Sequence, residues 1–218
     1  MNTQPPTSVT SAPLDGAMNW YGLDWAKIQT SVRKTQLKIA RATRKADWRK
    51  VKHLQRMLTH SFHGRCLAVR RVTENRGRRT PGVDGETWET PQAKLRGVMC
   101  LSIKRGYCSK PLRRVWIPKP GKQEKRPLGI PTMLDRAMQA LHLLAIEPVV
   151  ESQSDPRSYG FRPDRSTADA MVELFHMLAS KVAPVWILEG DIKGFSITSA
   201  MIGFVKISQW IRRYCANG

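Results

Sequence analysis

Trp186-Ile-Leu-Glu-Gly-Asp-Ile-Lys-Gly-Phe195 reads as an apolar strand that delivers one carboxylate, Asp191, onto a glycine-softened turn. A hard divalent cation suits such a carboxylate. From Ser196 to Gly218 there is no Asp or Glu at all, whereas the chain ahead of the strand is crowded with cations. That asymmetry bounds the chemistry open to the chain.

Across 218 residues, 37 Lys and Arg stand against 17 Asp and Glu, a formal charge of +20. This is far more than solubility needs, and it points to nucleic acid, whose bound counterions such a surface releases. Most of the excess is local. Between Lys27 and Arg79 there are 17 basic and 2 acidic residues, a net +15 in 53 positions. The candidate RNA-binding cations are Arg33, Lys34, Lys38, Arg41, Arg44, Lys45, Arg49, Lys50, Lys52, Arg56, Arg76, Arg78 and Arg79. An anionic membrane is the competing partner, but no apolar run approaches the roughly 20 residues of a spanning helix. The N-terminus also lacks a basic region followed by an apolar one. A soluble, cytoplasmic protein with no membrane partner is therefore expected. The four Cys, at 66, 100, 108 and 215, have neither CxxC pairing nor His at ligand spacing, which argues against zinc and fits a reducing compartment.

Residues 1–18, rich in Pro, Thr, Ser and Gln, are expected to be disordered. From Asp24 to Glu74 the apolar residues recur at helical spacing: Trp25, Ile28, Val32; Trp48, Val51, Leu54, Leu58; Phe62, Cys66, Val69, Val72. This predicts two or three short helices. Asn75 to Gly85, with three Gly and a Pro, predicts a turn-rich loop without an element of its own. A helix follows over Pro91 to Arg105, burying Leu95, Val98 and Leu101. Leu112 to Lys119 alternates as a strand, Pro120-Gly121 turns, and Arg126 to Pro131 runs back, giving a basic hairpin with Lys119, Lys122, Lys125 and Arg126. Those cations fit either a solubilised sheet edge or a cradle for phosphates. Thr132 and Asp135 form a capping-box-like start to a helix carrying Met133, Ala137, Leu141, Leu144 and Ile146, with His142 a satisfied histidine. Ser158 to Pro163 is a loop, and Ser166 caps a helix expected to bury Ala170, Leu174 and Met177.

Five stretches in this order, Thr80-Pro-Gly-Val-Asp-Gly85, Ile117-Pro-Lys-Pro-Gly121, Arg126-Pro-Leu-Gly-Ile-Pro131, Ser158-Tyr-Gly-Phe-Arg-Pro163 and Glu189-Gly-Asp-Ile-Lys-Gly-Phe195, resemble the group II intron-encoded reverse transcriptases and maturases. The resemblance covers about residues 20–195. It implies an α+β right-hand polymerase fragment, mostly helical, with a basic β-hairpin in the fingers and an incomplete palm sheet. The implied division is a basic helical extension at 19–79, fingers and fingers-palm helices at 80–183, a first palm strand at 184–195 and a tail at 196–218. Carried over by motif position, Lys119 and Arg126, with Lys125 a lesser candidate, would meet the nucleotide triphosphate. Asp191 and the backbone carbonyl of Ile192 would hold Mg²⁺. The implied partners are group II intron RNA or other structured RNA, and a DNA target or primer.

Two such ions need more than one carboxylate, and the family's Tyr-x-Asp-Asp motif has no match here. The departure begins at Ser196, where the family continues Gly-Phe-Phe-Asp-Asn-Ile-Ser-His and places an aromatic guard against ribonucleotides. Codons compatible with Phe195 to Phe204, with one T restored, read Phe-Phe-Asp-Asn-Ile-Ser-His-Asp-Trp-Leu. Residues 196–218 are therefore expected to be an out-of-frame tail on a truncated N-terminal piece. Such a piece, with a catalytic site left incomplete at Asp191, is not expected to polymerise alone, and a separate palm and thumb fragment would be its complement. The alternatives are a non-catalytic intron-RNA-binding module and the product of a decayed gene copy.

Overall fold

A computed structural model of the chain describes residues 19–101, 107–118, 121, 123 and 125–179. The expected disordered start (1–18), palm strand (184–195) and tail (196–218), and with them Lys119, Lys122, Asp191 and Ile192, lie outside the described residues.

Three helices open the fold, each started by a short polar side chain that accepts from the backbone N–H three residues on. Asp24 accepts from Lys27 N at 2.9 Å and begins α1 (Trp25–Arg44). Asp47 accepts from Lys50 N at 3.0 Å and begins α2 (Trp48–His60), and Ser61 accepts from Gly64 N at 2.9 Å and begins α3 (Phe62–Glu74). Where short helices were expected, α1 runs 20 residues, because nothing in its sequence interrupts the apolar stripe of Ile28, Val32 and Ile39. Trp48 is not part of the buried stripe of α2; it sits at the first helical position and is 44% exposed. The Asn75 to Gly85 loop does contain an element, a 3-10 turn at Arg76–Arg79.

Thr90 caps α4 (Pro91–Cys100), with Pro91 in the first turn where its missing N–H costs nothing. This helix ends at Cys100, short of the expected Arg105; residues 102–106 lie outside the described set. Val98 and Leu101 are buried and Leu95 is partly so, as the spacing predicts. The hairpin forms from β1 (Arg113–Pro118) and β2 (Lys125–Ile130), antiparallel, with Arg113 opposite Ile130 and Pro118 opposite Lys125.

The central element is α5 (Met133–Gln153), which packs against α1, α2 and α3. Its Met133, Ala137, Met138 and Leu141 join Val69, Val72, Val98 and Leu101 in one core, and its Ala145 joins Ile39, Val51 and Leu58 in a second. Pro148 interrupts α5 from within, removing a backbone N–H and crowding the carbonyl four residues back. Two amide side chains from neighbouring helices supply donors at that point: Gln36 Nε2 donates to the Leu144 carbonyl at 2.9 Å, and Gln55 Nε2 to the Ala145 carbonyl at 3.0 Å. His142 is a core histidine, its Nδ1 2.9 Å from the Met138 carbonyl.

The last described helix, α6 (Thr167–Leu178), starts on a reciprocal capping box between Ser166 and Asp169. Its expected buried face is not found: no residue of α6 is buried, and Leu174 is 47% exposed. Helical periodicity identified the apolar side, but no described element covers it.

Candidate nucleic-acid interface

All thirteen expected RNA-binding cations, from Arg33 to Arg79, are exposed. On α1 the helical step of about 100° per residue places Arg33, Lys34, Arg41 and Arg44 on the side away from Ile28, Val32, Ile39 and Ala42, with Lys38 at the flank of that buried stripe. One face packs and the other carries charge. Arg49, Lys50, Lys52 and Arg56 likewise lie off the buried Val51, Leu54 and Leu58 stripe of α2.

Arg76, Arg78 and Arg79 sit on the 3-10 turn, and that turn is tied down from behind. Arg136, in the first turn of α5, donates from Nε to the Pro131 carbonyl at 3.0 Å, from one terminal nitrogen to Gly77 O at 3.0 Å and from the other to Thr80 O at 2.6 Å. A planar guanidinium can serve three carbonyls at once, which an ammonium cannot do in that geometry. The following Gly82 is pressed on the start of α5: a Cβ there would lie 2.6 Å from Thr132 Cα and 2.7 Å from its N, so only glycine fits. Asp84 then pairs with Lys110 at 3.3 Å. The Thr80 to Gly85 stretch is thus a strap that fixes a basic turn to the core.

The hairpin separates its cations by face. Consecutive strand residues point to opposite sides, and directly opposed residues share one. Arg126, opposite Ile117, lies on the side of Val115, Leu128 and the buried Ile130. Lys125, opposite Pro118, lies on the other side with Trp116 and Arg114. Both are exposed, and the register places them on opposite faces of the hairpin. Trp116 is 56% exposed, so the Lys125 face presents an aromatic ring between two cations. Sequence reasoning noted that alternation without assigning Trp116 or Arg114 a role; the strand period alone carries the signal.

Several ionisable groups at or near α5 are engaged internally. Asp135, 2% exposed, accepts from the Thr132 hydroxyl at 2.6 Å and from the Tyr107 hydroxyl. Burial, and then that bond to Asp135, pushes the Tyr107 phenol far up. Burial first, then the neighbouring Arg113 charge, lowers Arg136. Burial pushes the Cys66 thiol up to about 11, so it is not a nucleophile. In the Ser158 to Pro163 loop, Arg162 forks onto Glu151 at 2.6 and 2.9 Å, and its hydrogen bonds hold the Glu151 carboxyl below its ordinary value. Among the described residues no group of three or more His, Cys, Asp or Glu could hold a metal, and no helix is long and apolar enough to cross a membrane.

Residues 20–101 match the N-terminal domain of reverse transcriptase, and residues 117–196 match the reverse transcriptase (RNA-dependent DNA polymerase) family. The second match stops at the position where the sequence leaves the family's continuation. Protein YkfC of Escherichia coli is 39% identical over 136 residues, covering 59% of this chain and 35% of its own length. The group II intron-encoded protein LtrA of Lactococcus lactis is 29% identical over 164 residues, 70% of this chain and 27% of its own. An uncharacterized 91 kDa protein in the cob intron of Schizosaccharomyces pombe is 29% identical over 128 residues, 58% of this chain and 15% of its own. The chain spans about a third or less of the curated relatives it matches.

Proposed function

We propose, from the premise that this chain belongs to the reverse transcriptase family and has a group II intron-encoded protein among its relatives, that its 218 residues act by gripping structured intron RNA. The observation that carries this is the set of thirteen exposed cations held on one face of α1, on α2 and on a strapped turn. Lys and Arg on rigid elements meet phosphates at a fixed register, and each phosphate neutralised releases counterions. The basic helices and the fingers hairpin form a surface for RNA, with a DNA primer or target as the further partner of the polymerase. The family's parent activity is RNA-templated DNA synthesis, with splicing assistance through bound intron RNA. A reducing cytoplasm suits the free thiols of Cys66, Cys100 and Cys108.

Mg²⁺, when bound, would supply Lewis-acid stabilisation of the charge that develops in nucleotidyl transfer. By motif position Asp191 and the Ile192 carbonyl would hold it, and both lie outside the described residues. Within the 218 residues Asp191 is the last acid, and one carboxylate does not hold two such ions. The 218 residues assayed by themselves are therefore expected to show no dNTP incorporation on a primed RNA template, since further palm carboxylates are needed to complete the site. The departure at Ser196 is the frame change inferred above, and the nucleotide sequence across codons 190 to 218 tests it directly.

The binding reading is tested by titrating structured intron RNA across a salt series. Submicromolar affinity that falls steeply with salt supports it. Weak binding that ignores charge reversal at Arg33, Lys34, Lys38 and Arg41 rejects it.

A further inference from the structure

Beside the strapped turn lies a half-open cavity of about 190 Å³ lined by Thr73, Arg78, Arg79, Trp88, Glu89 and Lys94. Its walls are set by packing. Trp88 is buried against the backbone of α4 at Gly97, where a Cβ would come within 2.7 Å of the indole ring. Thr73 is buried at the end of α3 with its hydroxyl already committed to the Val69 carbonyl at 3.0 Å. Lys94 projects from α4, its ammonium 5.5 Å from the Trp20 ring. Among the described residues none of the three cations is ion-paired, not even with Glu89 across the same cavity. Three cations against one carboxylate leave an excess of two positive charges facing a small space.

We infer that this cavity is a binding site for a single phosphate group of an RNA strand, held by Arg78, Arg79 and Lys94. The volume falls below the roughly 300 Å³ at which pockets begin to take up whole small molecules, so a phosphate matches it in size more closely than a nucleoside does. Guanidinium forks match phosphate oxygens in pairs, and the lysine adds a point charge. Glu89 limits the site to one phosphate: its carboxylate repels a second, which distinguishes the cavity from the open basic face of α1. The inference rests on the RNA-binding reading and deepens it, by naming a built site within a surface otherwise read as diffuse charge. The phosphate can come from a 5′ end or from within the strand.

The test uses the whole 218-residue protein and a labelled ten-nucleotide RNA carrying either a 5′-phosphate or a 5′-hydroxyl. The Arg78→Ala/Arg79→Ala pair is expected to weaken binding roughly tenfold, clearly more than the Arg33→Ala/Lys34→Ala pair on α1. Glu89→Gln is expected to tighten binding roughly threefold by removing a like charge from the phosphate, an effect that a purely structural Glu89 would not produce. If the 5′-phosphorylated RNA binds tighter and that preference vanishes in Arg78→Ala/Arg79→Ala, the source is a terminal phosphate. If both RNAs respond alike to that pair, the source is an internal one. Equal losses for the Arg78/Arg79 and Arg33/Lys34 pairs, or unchanged affinity in Glu89→Gln, overturn the inference while leaving RNA binding itself intact. Failure of the wild-type chain to bind RNA in a salt-dependent way removes both. Thermal melts of each variant check that the fold is kept.

Discussion

At the scale of single residues, the fold depends on side chains that reach across sequence to repair a backbone. Pro148 leaves the Leu144 carbonyl inside α5 without its helical N–H partner; Gln36 donates to it from α1, and Gln55 donates from α2 to the neighbouring Ala145 carbonyl. Replacing Gln36 with Leu strands the Leu144 carbonyl in a part-buried setting, so about 1–3 kcal/mol of stability should be lost, read as a lower urea midpoint at unchanged slope. A simultaneous Pro148→Ala restores the N–H and should recover part of that loss. His142 gives a second, pH-dependent prediction. Burial, ahead of repulsion from His60, holds its imidazole below the ordinary value of 6.5, and the hydrogen bond to Met138 opposes the shift only in part. The unfolded chain therefore binds a proton that the folded chain resists. Stability is complete above pH 6.5 and falls as pH drops through that value toward the lower folded pKa. Urea midpoints should decline between about pH 7 and pH 5, and the decline should flatten in His142→Gln. Glu151, held low by Arg162, acts in the same direction but only below its ordinary 4.5, which separates the two.

At the scale of elements, the hairpin is largely exposed, with only Ile130 buried among its strand residues. A two-stranded ribbon is marginal by itself, so Trp116, 56% exposed on the Arg114 and Lys125 face, contributes little to stability. Its use is as a platform on which an unpaired base can stack between cations, worth about 1–3 kcal/mol per base. Trp116→Ala should leave the thermal midpoint nearly unchanged while weakening single-stranded RNA binding; equal binding by wild type and variant would show the ring is idle. The elements also show what periodicity can reach. The stripe of Ile28 and Val32, the caps at Thr132 and Ser166, and the strand alternation of β1 are all legible, because each is a local pattern with a local cause. The exposed face of α6 was misread for a related reason: spacing marks Leu174 and Met177 as one side of a helix but does not supply a partner. The candidate interface divides in the same way. Cations on helix surfaces could be read directly, whereas the Arg136 strap could not, since its acceptors at Gly77 and Thr80 lie 59 and 56 positions upstream.

At the scale of the whole molecule, one charge distribution sets two opposing responses to salt. The net +15 between Lys27 and Arg79 is carried by helices packed together, so these cations repel one another in the folded state more than in an expanded chain. Few ion pairs offset this: within that stretch, among the described residues, Arg70 with Glu74 at 2.8 Å is an i, i+4 surface pair worth at most a few tenths of a kcal/mol. Screening shortens the reach of the repulsion to about 8–10 Å near physiological ionic strength. The free protein should therefore melt at a higher temperature as salt is raised from low values. The RNA complex should behave oppositely. RNA binds the folded chain and neutralises the same cations, raising the midpoint by mass action, but its affinity falls as salt removes the gain from counterion release. Melting curves collected with and without RNA across one salt series should converge, the free midpoint rising and the bound midpoint falling. Parallel curves would mean that RNA is held by contacts other than phosphate. A free midpoint that falls with salt would mean that ion pairs, not repulsion, dominate the folded surface.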